Sequence, residues 1–165
     1  LMETSKENTQ TNFTFSDKNI AIILALVSLA TFFYDVILSD VRDCLEMVDD
    51  RQRQITIIII TFFHHFLAVF GLFGWLFNNK IFLITYIVLI VFMIVQWKLT
   101  GGVCVVTKSV SILADNPEYK RFNDVYKIIG LKQLIPSRIL YYGSLTIFVG
   151  IALYKIIFKY FKNKI

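Results

Sequence analysis

Two adjacent histidines, His64 and His65, stand near the middle of a long apolar run, and their type and place could do chemistry. An imidazole in hydrocarbon can relay a proton, ligate a metal or haem, or hydrogen-bond a neighbouring helix. Its charged form is costly there, so a neutral ring bonded across helices is the first expectation. Successive helical residues point about 100° apart, so the two histidines need ligands from elsewhere to share one ion. The runs offer Met93 alone at matching depth, and the HExxH spacing of helical zinc sites is absent. His64 and His65 are therefore read as structural polar groups first, a proton or ion relay second, and a metal or haem site third. No cofactor is expected.

Asp35 also lies within an apolar run, about one turn from its end, where a carboxylate reaches water; an interfacial carboxylate is the preferred reading and a buried functional one the alternative. The histidines lie about 14 Å inside their own run by helical rise, so Asp35 is not an expected partner for them. Cys44 and Cys104 are too few for a disulfide framework and neither belongs to a CxxC. A single bridge between them is geometrically open, and two thiols are the preferred reading. Cys104 beside Gly101-Gly102 reads as an ordinary thiol more readily than a reactive one. There is no GxSxG, no P-loop, no dinucleotide fingerprint and no carboxylate pair inside a run. An enzyme is not expected.

The elements that must position these residues are four apolar runs, about 19–38, 55–77, 81–97 and 139–157. Each is long enough to cross a hydrocarbon core of roughly 30 Å as a helix rising 1.5 Å per residue. The composition agrees: 56% hydrophobic, 18% charged, with a mean hydropathy of +0.64. That is too little charge to cover a soluble domain of 165 residues. The expected fold is an all-α integral membrane four-helix bundle: a polar arm over 1–18 and a single transmembrane domain over 19–165. The arm is not the basic leader of a cleaved signal peptide, and the first run reads as a retained anchor. The sequon Asn12-Phe13-Thr14 lies too close to that run to expect glycosylation.

Small and polar residues recur along the runs at helical spacing. Ala21, Ala25, Ser28, Thr31 and Asp35 share a face of the first; Ala68, Gly71 and Gly74 follow His64 in the second; Gly143 and Gly150 share a face of the fourth. In lipid such residues let backbones approach, so these faces are expected to pack on other helices. Asn78-Asn79-Lys80 makes a tight antiparallel turn between the second and third runs.

Between the first two runs, residues 39–54 pair opposite charges at i,i+4 (Arg42/Glu46, Asp49/Arg53) beside a narrow apolar stripe of Val41, Leu45 and Val48. That pattern predicts a helix continuing out of the membrane. In the loop between the third and fourth runs, Asn116-Pro117-Glu118 reads as a helix start and Gly130 as its end. Tyr119, Phe122, Val125, Tyr126 and Ile129 would line one face of this short amphipathic helix, with Lys120, Arg121, Lys127 and Lys132 beside it. It is expected to lie on lipid headgroups or on the end of the bundle, with docking to a partner as the rival. Trp75 and Trp97 mark the aromatic belts. Lys155, Lys159 and Lys162, mixed with aromatics after the fourth run, fit headgroups better than nucleic acid, despite a net charge of +5.

The order His64-His65, Gly71, Trp97, Cys104, Thr107, then Phe122-x-Asp124 and Gly130-Leu131-Lys132 spans roughly residues 60–135. It resembles a family of small multi-span proteins encoded by large double-stranded DNA viruses that carry an internal membrane. The resemblance implies a virion or assembly-site membrane protein without known catalysis. Gln96-Trp97 stands where the family pattern has His-Trp, which puts a metal site in further doubt.

The function expected from the sequence is structural or protein-interaction work in a membrane, as an assembly or scaffold component. Lipid and protein partners, or a second copy, are expected, and nucleic acid is not. A small oligomeric channel or transporter subunit using His64 and His65 is the alternative, and a membrane redox or metal protein the next. Four spans put both termini on one side, and the excess of Lys and Arg in the two long loops favours termini facing outward.

Overall fold

A computed structural model describes residues 16–119, 122, 125–134 and 136–161. Most of the polar arm, the sequon at Asn12, and Lys120, Arg121, Asp124 and Lys162 lie outside the described residues.

The chain is an all-α membrane bundle. Its helices are α1 (Asp17–Leu38), α2 (Asp40–Met47), α3 (Arg51–Phe73), α4 (Lys80–Leu99), α5 (Val105–Leu113), α6 (Val125–Ile128), α7 (Leu131–Leu134) and α8 (Ser137–Ile156). A 3-10 turn, Gly74–Leu76, extends α3, and a π-helical turn, Ile157–Phe161, extends α8. Among the described residues four segments, Asp17–Leu38, Arg51–Leu76, Lys80–Leu99 and Ile139–Lys159, are long and apolar enough to cross a membrane.

Polar side chains start these helices where the sequence turns from polar to apolar. Ser16 accepts from the Asn19 amide at α1, Asp50 from Gln52 at α3, and Asn79 from Ile81 at α4. Each satisfies an amide that the first turn leaves unpaired. α1 packs on α3, α3 on α5, and α4 on α8. Ile20 and Leu24 meet Val69 and Phe77 between α1 and α3, while Leu83, Tyr86 and Ile90 of α4 meet Leu145, Ala152 and Ile156 of α8.

At one end a third apolar cluster forms a cap. Val41 and Cys44 of α2 with its C-cap Val48, Ile57 of α3, and Val110 of α5 with its C-cap Ala114 close around Tyr119 and Phe122. The stripe expected on 39–54 is thus the inner face of α2, although Ser39 separates α2 from α1 as an N-cap of its own. Arg42 bonds Glu46 at 2.7 Å. Arg53 reaches Asp50 and Asp115 in place of the expected Asp49.

The helix expected over 116–130 is corrected. The Asn116 side chain accepts from the Glu118 amide in a tight turn, its amide donates towards Cys44 Sγ, and Ser111 holds its carbonyl. Asn116 thus closes a turn after α5: residues 117–119 and 122 are not helical, and of the expected span only α6 (Val125–Ile128) is a helix among the described residues. The amphipathic helix of this loop is α5, further upstream.

Candidate functional site

α1 and α3 meet along two matched faces. Ile20, Leu24, Ser28, Thr31, Phe32 and Asp35 are the buried face of α1, and Ile57, Thr61, His65, Val69 and Leu72 belong to that of α3. Both recur at three- and four-residue steps, so each is one stripe of its helix. Three hydroxyls on these stripes are satisfied within their own helices: Ser28 donates to the Leu24 carbonyl, Thr31 to Val27, and Thr61 to Ile57.

The remaining polar groups meet each other. His65 Nε2 lies 3.0 Å from Asp35 Oδ2, and the two side chains are each 1% exposed. The other carboxylate oxygen accepts from the Ser39 hydroxyl, and Ser39 also caps α2. Asp35 therefore ties α1 to α3 directly and to the start of α2 through one side chain. Phe32 and Phe122 flank the His65 ring at 6.4 and 6.0 Å, and His64 stacks on Phe122 at 3.9 Å.

His65 Nδ1 is buried and has no hydrogen-bond partner among the described residues. An ionised carboxylate only accepts, so His65 Nε2–H is the donor of this contact. The pair acts as a clamp between helices. Among the described residues, no three His, Cys, Asp or Glu side chains gather closely enough to hold a metal.

The expectation that Asp35 sits in interfacial water, apart from the histidines, is overturned, and the reason is register. α1 ends three residues after Asp35, whereas α3 begins fourteen residues before His65. At 1.5 Å per residue, about 16 Å of α3 stands beyond the end of α1 and is packed by α2 and α5. Counting depth from residue 55 therefore placed His65 too deep relative to Asp35.

The other expected site residues divide. Gly71 and Gly74 are buried at a helix contact, with Tyr86 Oη donating to the Gly71 carbonyl at 3.1 Å. A Cβ on Gly74 would lie 2.5 Å from the Tyr86 ring. Ser28 is buried, Ala68 half-buried, and His64 half-buried against Phe122. Ala21 and Ala25 are exposed, a correction: the α1 face turns on Ile20 and Leu24, one residue earlier in each turn. Gly143 and Gly150 likewise make no helix seam among the described residues. A Cβ there would meet nothing within 4 Å, because α8 packs through Leu145, Ala152 and Ile156.

Of the places expected for Tyr119, Phe122 and Tyr126 (headgroups, the end of the bundle or a partner), the structure gives the bundle, so their reading as interfacial or partner-facing residues is corrected. All three are buried: the first two fill the cap, and Tyr126 Oη donates to Ser144 Oγ of α8 at 2.8 Å. Trp75 is half-buried, stacked on Phe148, and Trp97 sits against Tyr141 and Tyr142. Lys159 is exposed. Lys155 is no free anchor: Nζ donates to the carbonyls of Trp75, Leu76 and Phe77 at 3.0, 3.2 and 3.3 Å. That cation closes the C-terminal end of α3, where the helix leaves its carbonyls unpaired. Cys44 is buried, Cys104 is half-buried, and the two do not pair.

No family model, curated protein or solved structure matches this chain.

Proposed function

We propose that this protein is a structural, partner-docking component of a membrane. Four spans anchor it, and the cap of α2 and α5 presents a charged outer face. Arg42, Asp43, Glu46, Asp49 and Asp50 all point to solvent there. The observation that carries the reading is the burial of Asp35 and His65 in a pair with Ser39. A charged pathway needs such groups to meet water, whereas here they join two spans to the cap. This arrangement favours a scaffold over a channel or transporter subunit.

The resemblance to proteins of viral internal membranes points to a virion membrane, with the cap turned towards a capsid layer. With four crossings both termini share a side, and the basic excess of the long loops favours cytoplasmic loops and outward termini.

The test is affinity purification in mild detergent of the wild type and of a His64→Leu, His65→Leu double variant. The wild type is expected to bring down a defined set of protein partners, and the variant to lose them. Unchanged assembly of the variant overturns the reading. So does pH-dependent ion flux through liposomes carrying the inserted wild type, which would establish the channel alternative.

A further inference from the structure

Where the last turn of α4 meets α8, an open cleft of about 390 Å³ is lined by Trp97, Lys98, Gly101, Gly102 and Tyr142. We propose that this cleft binds the phosphate of an anionic phospholipid headgroup, with Lys98 as the cation and Trp97 and Tyr142 as its aromatic walls. The inference rests on the membrane-spanning fold alone and is independent of the scaffold role.

Position comes first. Trp97 and Lys98 belong to the final turn of the span Lys80–Leu99, and Tyr142 to the opening turns of the span Ile139–Lys159. The cleft thus lies at the end of two spans, where aromatic rings and lysines meet headgroups. Trp97 packs edge-on to both Tyr141 and Tyr142, with ring centres 6.0 and 5.9 Å away, so the wall is held in place.

Charge comes second. None of the ion pairs at Arg42, Arg53 and His65 uses Lys98, which is exposed. Nor is Lys98 needed to cap α4. The Thr100 amide and hydroxyl both donate to the Gln96 carbonyl, and the Gly102 amide donates to that of Trp97 at 2.7 Å.

Access comes third. Gly101 and Gly102 hold φ of 71° and 88°, and a Cβ on either would meet nothing within 4 Å. The backbone is therefore bare on this side, and a phosphate can approach it closely. Leu99 and Val103, the chain neighbours of the lining residues Lys98 and Gly102, are 81% and 42% exposed. They provide apolar surface for acyl chains, which a free phosphate in water would not use.

The full chain in nonionic micelles tests this, with Trp75→Phe leaving Trp97 as the fluorescent reporter. Titration with phosphatidylglycerol is expected to give a saturable Trp97 signal, and phosphatidylcholine a response about tenfold weaker or more. Lys98→Glu should weaken the phosphatidylglycerol response by about tenfold or more, while Lys98→Arg keeps it within about twofold. Lys127→Glu, an exposed lysine outside the cleft, should leave it unchanged. An unaltered titration in Lys98→Glu with native helical content overturns the proposal. So does equal weakening by Lys127→Glu, which would mean general surface charge. Saturation by glycerol phosphate at the same concentrations would assign the cleft to a soluble phosphate and overturn the lipid assignment.

Discussion

Asp35 and His65 are thirty residues apart in sequence and 3.0 Å apart in space, sealed between the end of one span and the middle of the next. Removing one partner strands the other. Asp35→Leu or His65→Leu alone should lower stability by about 3 kcal/mol, the cost of an unmatched buried polar or charged group. The double variant should lose less than the sum, with a coupling of about 1–3 kcal/mol. Unfolding midpoints of the four proteins in mixed micelles measure this, and strict additivity would refute the clamp.

Phe122 stacks on His64 and lies beside His65, so it joins the cap to the spans. Phe122→Ala should cost about 3–5 kcal/mol, since its ring fills a buried site that cannot readily collapse. The same variant should expose Cys44, which is buried in the cap. Maleimide labelling reads both states: Cys104 reacts first in the wild type, and Cys44 catches up in Phe122→Ala.

Gly74 and Gly150 look alike in sequence and differ in their surroundings. Gly74→Ala pushes a Cβ to 2.5 Å from the Tyr86 ring and should destabilise by about 1–3 kcal/mol. Gly150→Ala faces open space and should leave the melting midpoint of the single chain nearly unchanged. A large loss for Gly150→Ala would mean that this face meets another chain.

Lys155 holds three carbonyls at the end of α3. Lys155→Met keeps the stem and removes the donors, and should cost about 1–3 kcal/mol. Amide exchange should rise at the turn after Gly74, where α8 is pinned to α3. Protection there equal to the wild type would show that apolar contacts alone hold the turn.

Much of the fold was legible because lipid imposes a length. Four runs of about twenty apolar residues have one ordinary solution, a helix each, whatever their neighbours. The Gly71–Gly74 contact was also readable, since small residues at helical spacing mark close approach. The same rule misplaced Gly143, Gly150, Ala21 and Ala25. It finds a face but not which way that face turns, and in lipid an outward small residue carries little penalty. The segment after α5 failed differently. Asn116, Pro117 and Glu118 satisfy the chemistry of a helix start, yet Tyr119 and Phe122 gain more by entering the cap than by lining a helix on its surface.

The sequence by itself determined the membrane spans, the tight turn at Asn78-Asn79, the inner stripe of α2 and the presence of a polar pair in the second span. Each follows from local pattern, because burial in lipid or against one neighbour selects residues along a single helix. Only the tertiary structure decided that His65 meets Asp35, that Phe122 closes over His64, and that Lys155 caps α3. Those contacts depend on how far one helix slides past another, a register set by the whole cap and recorded in no single stretch of chain.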